Sequence, residues 1–231
     1  MDRKNILLVS AFAIIAIIVG LLIPKGDQES HQIMPWQIDH TETGSTRVFG
    51  LTLDESTLAD AEQRLGSKAE VSLFAKPDGE MVAEVFFEKV ELGGLSAKVV
   101  IVTGLDQTTL KAMYDRGERI STLGSGTNKV TLSLPDLELI RQAPIASITY
   151  LPRIDVQPEV IEKRFGLPAE KITEENNNTT HWLYPDLGLD ISLNSSGDAV
   201  LQYVSPKKFE LLRAPLLQLQ QQAATPHSQE Q

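Results

Sequence analysis

Side chains suited to metal or nucleophilic chemistry are sparse in this sequence. The chain has no cysteine, which excludes disulfides, thiolate ligands, thiol catalysis and a lipid-modified N-terminal cysteine. Its histidines do not pair at the i, i+4 spacing that places two imidazoles on one helical face. They are His31, His40, His181 and His227. We therefore predict no metal site and no cofactor, and we expect His181 to be a strand residue.

Serine, nucleotide-loop and carboxylate chemistry also lack the spacing that each requires. No Gly-x-Ser-x-Gly elbow occurs, and Gly124-Ser125-Gly126 is too short for a Rossmann or P-loop fingerprint. Four acidic residues lie among asparagines and other turn formers, and we interpret them as solvated loop residues rather than a calcium loop or a glycosidase pair. They are Glu174, Glu175, Asp186 and Asp190. No catalytic residue is predicted.

Three aromatic side chains on neighbouring predicted strands are the candidate partner-binding residues: Trp182, Tyr184 and Tyr203. Alternating residues of one sheet face ordinarily bury large rings in the core. The other interpretation is that the rings line a face that binds a peptide or ligand, where an exposed ring would be the best candidate for a binding hot spot. Strand addition at a sheet edge is a further mode of binding that such a fold permits. The sequence leaves these interpretations open.

The totals describe an acidic chain of globular composition. With 231 residues, 42% of them hydrophobic and 23% charged, the chain is long enough for one medium domain or two small ones. A formal net charge of −10 argues against a nucleic-acid partner and against a domain lying flat on anionic lipid, since both require clustered lysine and arginine.

The first residues have the composition of a membrane anchor. Arg3 and Lys4 precede an apolar run over residues 6–23, in which Ser10 is the only polar side chain. A helix of that length spans roughly 27 Å, close to the hydrocarbon thickness of a thin bilayer. The alternative, a cleaved signal peptide, has a shorter apolar region and a small-x-small site, which the sequence before Pro24 lacks. We predict a retained anchor in the bacterial inner membrane, with a cytoplasmic N-terminus by the positive-inside rule and a periplasmic remainder.

Composition divides the remainder into a tether, a folded region and a tail. The tether is polar and lacks a hydrophobic period, although Trp36 within it is either an interfacial anchor or the first core residue. A short helix over Pro206–Leu212 precedes a Gln-rich end that is typical of disorder. The predicted boundaries are 1–24 for the anchor, 25–46 for a flexible tether, 47–145 and 146–212 for two α+β half-units, and 213–231 for a disordered tail.

An internal repeat at an offset of one hundred residues relates the two half-units. Five positions match: Glu62/Glu162, Arg64/Arg164, Gly66/Gly166, Ala69/Ala169 and Glu70/Glu170. In the first half-unit the apolar spacing predicts a helix over residues 57–65 that ends at Gly66. In the second, a helix over Pro158–Phe165 begins with a proline, which the first turn tolerates, and stops at Gly166.

After each helix the hydrophobic period switches to two, which predicts antiparallel strands. Met81–Phe87 and Ser96–Val102 flank a Gly93-Gly94 turn and predict a hairpin. The second half-unit predicts a meander of three strands: His181–Tyr184, Leu187–Leu193 and Ala199–Val204. The middle adds two helices and a strand: Thr108–Arg116, Pro135–Gln142 and Lys129–Leu134. The predicted fold class is α+β, an N-terminal transmembrane helix plus tandem helix/antiparallel-sheet half-units.

The order of elements in the second half carries a family resemblance. A short helix ending in Arg164–Pro168 is followed by the aromatic strand His181–Pro185 and by strands that end at glycine turns. This pattern resembles the small-lipoprotein family of the outer-membrane barrel-assembly machinery and the similar β-lactamase-inhibitor-protein-like fold. The resemblance covers about fifty residues, and loosely another fifty from Thr57. It implies a non-enzymatic periplasmic binding domain, although this chain has an apolar segment in place of the family's lipidated cysteine.

These observations favour a non-catalytic, membrane-anchored periplasmic interaction or accessory module of the cell envelope. Its predicted partners are the inner membrane, through residues 6–23, and an envelope protein that the sequence does not identify. One alternative is an envelope hydrolase or peptidoglycan-modifying enzyme with an unrecognised carboxylate site, which a cleft with two close acids of raised pKa would indicate. Another is a small-ligand sensor with an apolar pocket between the half-units.

Overall fold

The computed structural model describes residues 34–174 and 178–224. Within those ranges the chain forms thirteen strands and five α-helices. The strands are β1 (Asp39–His40), β2 (Thr46–Val48), β3 (Leu51–Thr52), β4 (Glu70–Ala75), β5 (Met81–Leu92), β6 (Leu95–Thr103), β7 (Arg119–Thr122), β8 (Asn128–Thr131), β9 (Ile145–Pro152), β10 (Glu170–Glu174), β11 (Thr179–Tyr184), β12 (Leu189–Asn194) and β13 (Ala199–Val204). The helices are α1 (Leu58–Leu65), α2 (Gln107–Asp115), α3 (Leu134–Gln142), α4 (Pro158–Phe165) and α5 (Glu210–Ala224), with short 3₁₀ turns at Pro185–Leu187 and Pro206–Lys208.

Ten of these strands form one antiparallel sheet, in the order β10-β11-β12-β13-β9-β6-β5-β4-β8-β7. The predicted hairpin and meander are confirmed, since β5 pairs with β6, and β12 pairs with both β11 and β13. The strands β1, β2 and β3 form a small separate sheet. Strand β9 pairs with β6 along one edge and with β13 along the other. The long strand between the two repeats therefore joins them in a single sheet.

The prediction of an α+β chain built from tandem helix/antiparallel-sheet half-units is therefore wrong. The described residues are mainly β, and strands of both repeats belong to the same ten-stranded sheet. The physical reason lies in β9, because a strand inside a sheet must pair its backbone N–H and C=O groups on both sides. Local periodicity indicates where strands occur, but it does not determine which distant strand becomes the neighbour.

Of the two N-terminal predictions, the anchor and the tether, only the second reaches the described residues, which begin at residue 34. The anchor predicted over residues 6–23 lies outside the described residues, and among residues 34–174 and 178–224 no helix combines the length and apolar character needed to cross a bilayer. Part of the predicted tether instead packs against the sheet. The Tyr203 hydroxyl donates to the Pro35 carbonyl oxygen (2.8 Å), and the Arg164 guanidinium lies 4.2 Å from the ring centre of Trp36. Trp36 therefore belongs to the folded region.

Helices α1 and α4 occupy repeat-related positions in the sequence. Helix α1 starts at a capping box, in which the Thr57 hydroxyl accepts from the Asp60 amide and the Asp60 carboxylate accepts from the Thr57 amide. It ends at Gly66, whose φ of 60° is the left-handed conformation that favours glycine. The predicted apolar face of this helix is confirmed, since its three residues are buried: Leu58, Ala61 and Leu65.

The main core lies between one face of the sheet and helices α1 to α4. The turn after β2 contributes Phe49, whose ring centre lies 5.3 Å from that of Tyr150 and 5.6 Å from that of Tyr203. Gly188 permits a close approach at the start of β12, because a Cβ there would lie 2.0 Å from the Val204 carbonyl oxygen. The helix side of the sheet is thus closed by the chain itself.

Helix α5 packs on the opposite face of the sheet, at the end formed by β10 to β13. Alternation along each strand places the side chains beneath it on the side away from α1 to α4. They form a second apolar cluster with residues of α5 and of the turn before it: Ile172, Leu183, Val204, Phe209 and Leu216. We call Ile172, Leu183 and Val204 the covered face.

Helix α5 also corrects the prediction for the end of the chain. It extends to Ala224, through most of the 213–231 segment whose glutamine content suggests a disordered tail. Leu212 and Leu216 recur at helical spacing, and both pack into the cluster on the covered face. Tertiary burial of this narrow apolar stripe stabilises the helix despite its polar average.

Candidate functional site

The aromatic residues proposed from the sequence as partner-binding lie in the interior. Trp182, Tyr184 and Tyr203 are 4%, 5% and 0% exposed, on the helix side of the sheet. The Tyr184 hydroxyl donates to the Gly166 carbonyl oxygen (3.0 Å), and burial raises the pKa of Tyr184 to about 12. Of the two interpretations that the sequence leaves open, the structure selects core packing. These three rings therefore do not form an exposed binding face.

The other face of the sheet changes character between its two ends. Beneath α5, the residues of the covered face are at most 4% exposed. At the other end, strands β4, β5, β6 and β8 present a shallow cavity of about 210 Å³ on the same side. We call its lining the open face: Glu70, Ser72, Phe74, Glu84, Phe86, Val100 and Lys129. Phe74, Phe86 and Val100 remain only half-buried there, although all three lie within strands of the sheet.

The acid at the centre of the open face is Glu84. It lies in mid-strand, opposite Ser72 on β4 and Val102 on β6. Burial raises the pKa of Glu84, and Lys76 acts on it only through its charge, since the Lys76 ammonium is bonded to Glu80. Among residues 34–174 and 178–224, no side chain donates a hydrogen bond or forms an ion pair to the Glu84 carboxylate. A carboxylate in this position destabilises the free protein unless a cation joins it.

The rim of the open face holds two lysines that are already paired. Lys129 donates to Glu70 (2.7 Å), and its ammonium lies 6.0 Å from the ring centre of Phe74. Lys98 lies 5.8 Å from the ring centre of Phe86 and 3.6 Å from the carboxylate of Glu88. Each aromatic ring therefore has an ammonium group over its face, where the negative part of the ring quadrupole attracts a cation. Among the described residues, Glu84 is the charged group in the lining of the open face that has no hydrogen-bonded or ion-paired partner.

A second group of titratable residues lies near the covered face. His181 Nδ1 is 2.8 Å from Asp190 Oδ2, and His181 Nε2 is 3.3 Å from Glu174 Oε1. Burial lowers the pKa of His181, but the hydrogen bond to Asp190 and the charges of Asp190 and Glu174 outweigh burial and raise that pKa overall. With both ring nitrogens engaged, His181 does not present a free base to a substrate.

This group corrects the interpretation of the acidic residues as solvated loops. Asp190 is 2% exposed and lies within β12. The meander pairs β12 with β11, and this pairing brings Asp190 next to His181. Asp186 does lie exposed in a 3₁₀ turn, and Glu175 lies outside the described residues. In the ranges that the structure describes, no set of three His, Cys, Asp or Glu side chains is arranged to hold a metal ion.

Sequence reasoning missed the open face, although a signal for it was present. An antiparallel strand with one wet face should alternate apolar and polar residues. In Met81–Phe87, the first part of β5, the only polar side chain is Glu84, so both faces of this part of the strand are apolar apart from that residue. Such a strand is typical of a sheet whose two faces are both covered, and the unmatched acid within it indicates a site.

Comparison with known proteins identifies no relative of this chain. No protein-family model, no curated protein and no solved structure matches the chain. The resemblance to the barrel-assembly small lipoproteins stays a prediction. Function must therefore be argued from the open face itself.

Proposed function

We propose that this protein is a non-catalytic interaction module of the bacterial cell envelope. It is attached to the inner membrane through the apolar segment 6–23, and its periplasmic domain binds a segment of an envelope protein on the open face. The observation that carries this proposal is the lining of that face, in which the half-buried Phe74, Phe86 and Val100 lie with Glu84, a carboxylate that has no bonded partner among the described residues.

The physical argument compares the side chains of a solvated sheet face with those of a face that binds another segment. Solvated faces of antiparallel sheets carry polar side chains, and contiguous exposed apolar surface on a soluble domain marks a place of binding. Aromatic residues are enriched in protein interfaces because they bury a large area with few rotatable bonds. Phe74 and Phe86 supply half-buried aromatic surface on the open face.

The charged groups favour binding over catalysis. General acid and base work on a glycosidic bond needs two available carboxylates at a fixed separation. On the open face Glu70 is bonded to Lys129, which leaves Glu84 without an acidic companion free to act. Near the covered face, Asp190 and Glu174 are both directed at His181. These pairings support a surface that recognises a partner rather than one that transfers protons.

The test is photocrosslinking of the full chain in its native membrane. Phe86 is replaced by p-benzoylphenylalanine, which keeps the phenyl ring of this half-buried residue and adds a photoreactive benzoyl group at the para position. A matched variant carries the same group at Leu167, which is 82% exposed but lies between α4 and β10. We expect a specific envelope protein to be captured from position 86 and not from position 167.

Capture of the same proteins from both positions would overturn the proposal, because it would reflect random collision. Turnover of cell-wall fragments by the purified chain, abolished in Glu84→Gln, would replace it with the hydrolase alternative.

A further inference from the structure

The way α5 sits on the covered face provides a template for what the open face binds. Phe209 and Leu216 bury Ile172 and Leu183 beneath the helix. At the side of this contact, Arg213 Nε donates to Glu170 Oε2 (2.8 Å). The contact thus consists of an amphipathic helix whose apolar stripe covers the sheet and whose arginine joins an acid of the strand.

The internal repeat places equivalent positions on the open face. Glu70 corresponds to Glu170 at the offset of one hundred. On the strand alongside, Glu70 faces Phe86 across the β4–β5 ladder, and Glu170 faces Leu183 across the β10–β11 ladder. Phe86 therefore stands where Leu183 stands beneath α5, and it is half-buried where Leu183 is fully buried.

The same register relates the two central polar groups. Ser72 faces Glu84 on the open face, and Ile172 faces His181 near α5. His181 lies between two acids of its own chain, whereas Glu84 has no bonded cation among the described residues. Glu70, the counterpart of Glu170, is already bonded to Lys129. Glu84 is therefore the carboxylate of the open face that is left for a partner's cation.

We propose that the open face receives an amphipathic helix of a partner protein that carries an arginine, with its apolar stripe on Phe74, Phe86 and Val100 and its guanidinium on Glu84. This inference rests on the proposed function and names the chemistry of the partner. Arginine fits better than lysine, because its planar, weakly hydrated guanidinium stacks on an aromatic ring while it donates two hydrogen bonds to a carboxylate. An acidic partner is disfavoured by like-charge repulsion with Glu84.

The test measures binding of a defined helical probe to the full chain in detergent micelles. The probe is a 15-residue synthetic amphipathic helix with leucines along one stripe and one central arginine. Its control is the same peptide with citrulline, a neutral isostere of arginine. Methyl NMR on the labelled chain follows Val82 and Val100, which lie at the open face.

We expect the arginine peptide to shift both valine signals and to bind roughly tenfold more tightly than the citrulline peptide, as a charge-assisted hydrogen bond implies. In Glu84→Gln the preference for arginine should disappear. In the matched variant Glu118→Gln, which removes an exposed carboxylate that does not line the open face, the preference should persist. Equal binding of the two peptides to the wild-type chain would overturn the inference, as would shifts confined to other surfaces.

The two proposals fail in distinguishable ways. Specific capture from position 86 in membranes, together with equal binding of the arginine and citrulline peptides, would leave the interaction module standing and remove the arginine. Capture of a second copy of this chain from position 86 would identify the occupant as self and overturn the claim of a different partner. Failure of both experiments would remove both proposals.

Discussion

The covered face and the open face are two ends of one side of the sheet, and they differ in how far their apolar side chains are buried. Both lie on the side of the sheet away from α1 to α4, and both are built from repeat-related strands. At one end α5 buries Ile172 and Leu183, while at the other Phe86 and Val100 stay half-buried. Apolar residues on both faces of a strand favour cover on both sides, and among residues 34–174 and 178–224 a helix covers this side of the sheet at the β10–β13 end only.

The two ends also differ in how their charges are satisfied. At the covered end His181 is flanked by Asp190 and Glu174, and Glu170 is bonded to Arg213. At the open end Glu70 is bonded to Lys129, but Glu84 has no bonded cation among the described residues. A carboxylate without a bonded cation, next to half-buried apolar side chains, is complementary to a partner that carries a cation and apolar side chains.

The largest difference between the two ends should appear when a buried side chain is truncated. Leu183→Ala on the covered face is expected to lower the free energy of unfolding by about 2–5 kcal/mol, since it leaves a cavity beneath α5. The matched change Val100→Ala on the open face should lower it by less than about 1.5 kcal/mol, because water already reaches that side chain. Denaturant unfolding of the full chain, followed by circular dichroism, measures both. Equal losses would mean that the open face is as well covered as the other.

The second prediction concerns the pH dependence of the covered end. A histidine whose pKa is raised in the folded state stabilises the fold below its unfolded pKa of about 6.5, and that stabilisation is lost as pH rises through the folded value. Asp190→Asn should remove about 1.5–3 kcal/mol of stability below pH 6.5 and flatten the pH dependence above it. Melting temperatures across pH 5 to 9 test this. An unchanged slope in the variant would show that Asp190 does not hold the proton on His181.

The smallest effect, and the one opposite in sign, is expected at the open end. Because burial raises the pKa of Glu84, the folded state binds its proton more tightly than the unfolded state, and stability falls as pH rises above about 4.5. Glu84→Gln should therefore raise the stability of the free chain above that pH, by less than about 1 kcal/mol. The control Glu118→Gln should leave stability unchanged.

A Glu84→Gln variant that proves less stable than the wild type would mean that the carboxylate has a partner within the chain. Together, the Asp190 and Glu84 variants separate a charge that serves the fold from a charge that serves binding.

Much of the local structure was predictable from the sequence. The helix before Gly66 followed from apolar spacing and a glycine stop, and the Gly93-Gly94 hairpin followed from alternation and turn chemistry. The pairing of β9 with both β6 and β13 was not predictable, because it joins residues far apart in sequence whose side-chain pattern fits several neighbours. The folding of α5 was concealed by the glutamines on its exposed side.

The candidate site was only partly within reach of the sequence. The aromatic residues first considered, Trp182, Tyr184 and Tyr203, were identified correctly as strand residues, but their facing depended on which side the helices pack. Glu84 could have been found from its isolation in an apolar strand. The absence of a bonded cation near it depends on three-dimensional neighbours that no pattern specifies.

The double pairing of β9 has a consequence for how this chain is made. During synthesis from the N-terminus, β6 leaves one edge without a neighbour until residues 145–152 have emerged, and a bare edge of that kind templates association with other chains. Strand β9 in turn needs β13 to satisfy its second edge. We therefore expect the edge of β6 to stay open to association with other chains until nearly the whole sheet has been synthesised.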